Sequence, residues 1–228
     1  VGDGEAARVS WSVCLRLGRV SNLPTVWTNV LAGVVLTGVF VAPGPLAVLA
    51  LALSLFYIGG MYLNDAFDRQ IDARERPERP IPAGLVRATT VFAAGYGVLV
   101  GGLAALAAEA AWVGQGRYWP AILSGLALGG LIIFYDAHHK ANPWSPLLMG
   151  LCRVLVYVTA AVAVAGHLEP RVLAGAAVLL SYLIGLTYVA KQETLARVRN
   201  LWPLLLIVAG VDTTLRRPMP ARRSARCS

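Results

Sequence analysis

The stretch LAVLALALSLFYIGGMYLNDAFDRQID, residues 46–72, decides the fold. No charged side chain falls in 46–63, and Asp65, Asp68 and Asp72 follow at once. An apolar run of about twenty residues is what a helix needs to cross the hydrocarbon of a bilayer, at about 1.5 Å of rise per residue. Carboxylates crowded onto the end of such a run are costly there. A membrane helix that keeps them points to chemistry at that end.

The same apolar pattern recurs on both sides, roughly over 24–42, 89–108, 118–135, 145–166 and 171–190. The 228 residues are 57% hydrophobic and only 14% charged, and the mean hydropathy is +0.63. Soluble domains carry about 25% charged residues, so this chain lacks the charge to cover a water-facing surface. The expected fold is all-α, a polytopic transmembrane bundle of about six full membrane helices plus a short apolar segment, 201–211. Residues 1–23 read as a cytoplasmic N-terminal segment, 24–211 as one transmembrane domain, and 212–228 as a basic polar tail. Pro24 suits a helix start, and Pro43-Gly44-Pro45 is expected to make the tight turn after the first span.

The net charge is +8. A basic balance suits nucleic acid, but here the cations lie in short loops between apolar blocks and nothing interleaves them with aromatics for base stacking. The lipid bilayer is therefore the expected partner, and nucleic acid is not. With the N-terminus in the cytoplasm, the loops 1–23, 64–88, 136–144 and 191–200 hold twelve Lys and Arg, against Arg117 and Arg171 outside. That bias predicts an integral multi-pass protein with the 64–88 loop cytoplasmic. The polar N-terminal residues predict no cleavable signal peptide. Cys14, Cys152 and Cys227 form neither a disulfide framework nor a metal site. The run 201–211 is too short to span and gives way to arginines, so truncation of the chain is expected there, and with it low or no activity.

The chemistry is concentrated in Asn64-Asp65-Ala66-Phe67-Asp68-Arg69-Gln70-Ile71-Asp72. If the helix continues, Asn64, Asp68 and Asp72 share one face, with Asp65 on its edge. Three carboxylates this close repel one another and need counter-charge. Mg²⁺, a hard cation that keeps waters and bridges to phosphates, would supply it. Arg69, Arg74, Arg76 and Arg79 follow at once, and guanidinium beside a metal-binding acid cluster suits a diphosphate. Arg153 lies inside an apolar block, where a charge tends to face a cavity or a partner. Asp68, Asp72 or the diphosphate are the expected partners. In Asp136-Ala137-His138-His139-Lys140 the adjacent histidines point about 100° apart on a helix, so a shared metal is not expected. Glu109 and Glu169 read as solvated outer ends.

These residues resemble the UbiA superfamily of intramembrane prenyltransferases. Asn64-Asp65-x-x-Asp68-x-x-x-Asp72 looks like its first aspartate motif. Arg76-Pro77-Glu78-Arg79-Pro80-Ile81-Pro82-Ala83-Gly84 resembles the arginine–proline stretch before its third helix. Arg19 and Asn22 before the first helix, and Tyr135 with Lys140 after the fourth, also fit. The resemblance covers roughly 16–200. It implies a helical bundle around a central cavity with a lateral opening, and transfer of a prenyl group from a prenyl diphosphate to a small-molecule acceptor, aromatic or other, with release of diphosphate. It implies Mg²⁺ on two aspartate motifs and an allylic cation as intermediate, for which Tyr57, Tyr62, Tyr157 and Tyr188 are candidate aromatic faces.

The second motif departs from the family. Tyr188-Val189-Ala190-Lys191-Gln192-Glu193-Thr194 stands where a second aspartate run is expected, with Glu193 its only acid. Lys191 either contacts diphosphate in place of a metal or is a flanking cytoplasmic charge. The expected metal ligands are thus Asp65, Asp68, Asp72 and Glu193. The expected substrate contacts are Asn64, Arg19, Asn22, Arg76, Arg79, Tyr135, Lys140, Arg153 and Lys191. Two other classes compete: a non-catalytic lipid-binding member of the same fold, and a transporter. The latter would place its carboxylates at mid-depth and show paired interrupted helices.

Overall fold

The computed structural model of the protein describes residues 10–113, 118–140, 142 and 144–194, with side chains described up to 187. Among these, the helices are α1 (Trp11–Leu17), α2 (Leu23–Thr37), α3 (Pro43–Phe67), α4 (Arg69–Glu75), α5 (Ala88–Val113), α6 (Trp119–His138), α7 (Ser145–Ala165) and α8 (Pro170–Thr194), with a 3₁₀ turn at Val20–Asn22. The chain divides into two compact units after Ala176. All the geometry below lies in the first, which holds α1–α7 and the start of α8. The apolar segment 201–211 and the tail 212–228 lie outside the described residues.

Five described helices are long and apolar enough to cross a membrane: α3, α5, α6, α7 and the Pro170–Thr187 part of α8. Val100 and Leu123 are among the large apolar side chains left exposed, as suits a surface bathed by hydrocarbon rather than water. The first expected span is shorter than its apolar run. α2 has 15 residues, about 22 Å of helix against a hydrocarbon thickness of about 30 Å. It stops at Gly38, and residues 39–42 are irregular. Pro43 and Pro45 do not make a turn but sit at the start of α3. A proline there loses nothing, because the first N–H groups of a helix have no partner in any case.

Two other expectations change. Residues 11–17 are helical: Val13 and Leu17, four apart, are buried against Ala66, Val86 and Val91. α5 runs five residues past the expected end at 108. Glu109 is consequently inside the helix and fully buried, with neither carboxylate oxygen hydrogen-bonded among the described residues. Glu169 is partly exposed and pairs with His167 at 2.6 Å.

α3 is the central helix. It packs antiparallel on α5: a Cβ at Gly59 would meet Leu99 and the carbonyl of Gly95, while a Cβ at Gly102 would meet the carbonyl of Ala52. Phe56 packs where α3, α5 and α6 meet, beside Gly102, Gly125 and Gly129. In lipid the hydrophobic effect does not press helices together, so small residues that admit close backbones supply the packing. Among the described residues the closest such approach to a backbone atom joins α2 to α7, where a Cβ at Gly33 would lie 2.6 Å from the backbone oxygen of Tyr157. A backbone atom cannot swing aside. Gly33→Ala is therefore expected to destabilise the bundle by about 1–3 kcal/mol, seen as a lower unfolding midpoint in detergent. An unchanged midpoint would show that α2 and α7 do not approach this closely.

Candidate active site

The carboxylate cluster straddles the α3–α4 junction. Asp68 is the joint, nearly helical at φ −76°, ψ −4°. Its N–H donates to the Asn64 carbonyl at 2.9 Å, and the Asp72 N–H donates to the Asp68 carbonyl at 2.9 Å. The helical rotation of about 100° per residue is therefore nearly maintained. It turns Asp68 about 40° from Asn64, but it carries Asp72 about 80° from Asn64 and to within about 20° of Asp65. The four side chains accordingly form two pairs, not the single face expected from the sequence.

Asn64 and Asp68 face the end of α6. The Asn64 amide donates to Oδ1 of Asp136 at 3.2 Å. Oδ2 of Asp68 lies 3.3 Å from Lys140 Nζ and 3.4 Å from His139 Nε2. Asp65 and Asp72 instead share one guanidinium. Nη1 of Arg79 donates to Oδ1 of Asp65 at 3.0 Å and to Oδ2 of Asp72 at 2.7 Å. Arg19 adds a second bond to Asp65 at 3.0 Å. The counter-charge assigned to a metal at the sequence level is thus carried here by arginine. Among the described residues no three His, Cys, Asp or Glu side chains converge on one metal position. Burial raises the Asp68 carboxyl, but the bond and charge of His139, followed by Lys140, outweigh it and hold the group below its ordinary value. The same bond to Asp68 holds His139 above its ordinary value against the opposing effect of burial.

Local structure aims the two arginines. Arg79 precedes a tight loop in which the Ala83 N–H donates to the Arg79 carbonyl at 2.9 Å and the Leu85 N–H to the Pro80 carbonyl at 3.0 Å. Gly84 closes it at φ +72°, a conformation cheap only for glycine. Arg19 is itself left-handed, φ 43°. A non-glycine residue there stores strain of about 1–3 kcal/mol, of the kind found where a side chain must be aimed. Neighbouring Arg16 donates to the Glu78 carbonyl at 3.3 Å, tying the segment before α2 to the Arg79 loop.

Beside the cluster opens a cavity of about 260 Å³ between α2, α3, α6 and α7. Its polar wall includes Arg19, Asn22, Asn64, Tyr135, Asp136 and Arg153. Its apolar wall includes Phe56, Tyr57, Met61, Leu128, Ile132 and Val156. Several expected site residues are therefore brought together, but not all. Arg76 is exposed on the surface and, among the described residues, has no ion pair to the cluster. Arg69 turns away to the Ala66 carbonyl at 2.9 Å and lies over the Phe92 ring. Arg153 lines the cavity but forms no ion pair with Asp68 or Asp72, because those carboxylates face α6 and the arginines. Lys191 and Glu193 lie in α8 beyond the described side chains, as does Tyr188. Tyr62 donates to the Cys14 carbonyl at 3.1 Å, and Tyr157 packs by Gly33 and Gly175. Of the named tyrosines whose side chains are described, only Tyr57 lines the cavity beside Tyr135.

Two members were missed from sequence. The His-His pair holds no metal position among the described residues, and His139 instead pairs with Asp68 while His138 turns to the Phe134 carbonyl. Asp136 is 4% exposed, and among the described residues its Oδ2 has no hydrogen-bond partner. The available signal is spacing: Tyr135 with His139, and Asp136 with Lys140, are two i, i+4 pairs at the end of α6.

Fold and site together define an integral membrane protein of helical-bundle type, with an acid–arginine cluster at the polar end of a cavity. A model of the UbiA prenyltransferase family matches residues 24–216, and the chain belongs to that family. It is 30% identical over 122 residues to a digeranylgeranylglyceryl phosphate synthase of Metallosphaera sedula, a match covering 53% of this chain and 40% of that one. It is 32% identical over 130 residues to the chloroplastic chlorophyll synthase of Avena sativa, covering 55% and 34%. The chain thus spans two fifths or less of the length of these relatives. A solved structure of a digeranylgeranylglyceryl phosphate synthase in membranes shares the fold, with a TM-score of 0.65 at 19% identity, over 81% of this chain and 63% of that one.

Proposed function

We propose that this protein transfers a prenyl group from a prenyl diphosphate to an acceptor within the membrane, releasing diphosphate. The observation that carries the reading is the position of Asp65, Asp68 and Asp72, balanced by Arg19, Arg79, His139 and Lys140, at the polar end of a cavity whose other wall is apolar. A prenyl diphosphate has that same division. Arg19, Arg79 and Lys140 are the fixed cations that stabilise charge developing on the leaving diphosphate. The wall of Phe56, Tyr57 and Ile132 excludes water from an allylic cation and offers it aromatic faces.

Mg²⁺ belongs to the proposal. Asp65 and Asp72 already converge on one cationic atom, and Oδ1 of Asp72 is buried without a partner among the described residues. These hard oxygens fit a divalent ion that takes its remaining ligands from water and phosphate. When bound, it would neutralise the diphosphate and make it a better leaving group. The loop 64–88 is assigned to the cytoplasmic side on its excess of arginine.

The test is binding of geranylgeranyl diphosphate to detergent-purified protein, with Mg²⁺ and with chelator, followed by product analysis with candidate acceptors. Binding is expected to weaken at least about tenfold on chelation, the loss of roughly one charge-assisted contact. Equal affinity in chelator would remove the metal from the proposal. Absence of binding by folded protein would defeat the transferase reading.

A further inference from the structure

We infer that Glu109 holds a proton in the folded protein and forms an intramembrane proton-binding site separate from the carboxylate cluster. The inference goes beyond the transferase reading and does not depend on it. Glu109 is the one charged residue type in the whole of α5, residues 88–113. It is 0% exposed, and among the described residues neither Oε1 nor Oε2 has a hydrogen-bond partner.

Its position explains the isolation. Glu109 follows Gly102 by seven residues, about two turns of helix, and so shares its face. That face packs on α3: a Cβ at Gly102 would meet the Ala52 carbonyl, and one at Gly44 would meet the Trp112 ring. The part of α3 at the level of Glu109 is therefore its first turn, where Pro43 and Pro45 have no N–H to donate.

No counter-charge faces it either. α5 packs on α3, α6 and α7. α3 has no charged side chain from 43 to 63, and α6 has none from 119 to 135. α7 carries only Arg153 between 145 and 165. Arg153 lines the cavity, about 18 Å of helix from the end of α7 remote from the carboxylate cluster, whereas Glu109 is about 6 Å from the corresponding end of α5. An ionised carboxylate in that position would keep its full charge without water, donor or cation, which costs far more than taking up a proton at neutral pH.

The site is not an extension of the cavity. No described residue of α5 lines the cavity. Along α5, Glu109 is about 21 Å of rise from Gly95, which packs on Leu63 just before the aspartates.

The test is infrared spectroscopy of the full chain in detergent at pH 7, unlabelled and with glutamate carrying ¹³C at its side-chain carboxyl. The carbonyl stretch of a neutral carboxylic acid is separate from the bands of a carboxylate. Wild type is expected to show that stretch, moved to lower frequency by the labelled glutamate, and Glu109→Gln is expected to lose it. The label distinguishes Glu109 from a buried aspartate such as Asp136. Of the other glutamates whose side chains are described, Glu75 and Glu78 are exposed and Glu169 is partly exposed. Glu109→Asp, which keeps an acid at the position, is expected to retain an acid band that no longer responds to the label, and it serves if Glu109→Gln does not fold. The inference is overturned if folded wild type shows no label-sensitive acid band at pH 7. It is equally overturned if that band persists in Glu109→Gln or stays label-sensitive in Glu109→Asp.

Discussion

Arg79→Ala is expected to lower the stability of the folded chain by about 3 kcal/mol and to abolish binding of prenyl diphosphate. One nitrogen of Arg79 serves both Asp65 and Asp72, which are 6% and 1% exposed. Removing one partner of a buried ion pair costs about 3–5 kcal/mol, because the remaining charge stays buried and uncompensated. Here Asp72 loses its ion-pair partner among the described residues, and Asp65 is left with Arg19 alone. The lower figure applies because the Arg79 side chain retains 18% exposure and Arg19 still bonds Asp65. Arg79→Lys should recover part of the stability, since an ammonium replaces the charge but not the planar fork. Unfolding midpoints in detergent, read beside donor binding, check this. A midpoint equal to wild type would mean that the carboxylates do not depend on Arg79 for their charge balance.

Asp72→Asn tests the same contact from the other side and should give the opposite division. The amide keeps an oxygen for Arg79 to donate to and removes a buried charge, so stability should stay within about 1 kcal/mol of wild type. Mg²⁺-dependent affinity for prenyl diphosphate should fall about 100-fold, or about 2.8 kcal/mol, because one of the two converging anionic ligands is gone. Loss of folding comparable to Arg79→Ala would instead assign Asp72 a purely structural role. Retention of Mg²⁺-dependent binding would move the metal to Asp68, on the α6 side.

The different expectations for these two variants come from geometry that the motif alone does not contain. Asn64-Asp65-x-x-Asp68-x-x-x-Asp72 identifies the acids, yet the spacing i, i+4, i+8 suggests a single face. Only the accumulated drift of the helix, with α6 on one side and the Arg79 loop on the other, sorts them into two pairs. The same holds for the cations. Arg69, Arg74, Arg76 and Arg79 look alike in sequence, and among the described residues only Arg79 reaches the carboxylates. Its backbone is held by the loop that Gly84 closes, whereas Arg76 is left on the surface.

The sequence by itself determined the class of the molecule. Long uncharged runs can satisfy their backbone polar groups in lipid only as helices, and carboxylates are retained at the end of such a helix only where something uses them. Apolar length was less decisive at the edges, where α2 stops short of its apolar run and α5 outruns its own, burying Glu109. Tertiary structure decided which charges meet. Ion pairs, the cavity and the unsatisfied oxygen of Asp136 depend on side chains brought together from 46 or 72 positions apart, as Arg19 is to Asp65 and Asn64 to Asp136. A local pattern of residues carries no record of those distances, because it is packing between helices, set by contacts such as Gly33 against Tyr157, that fixes them.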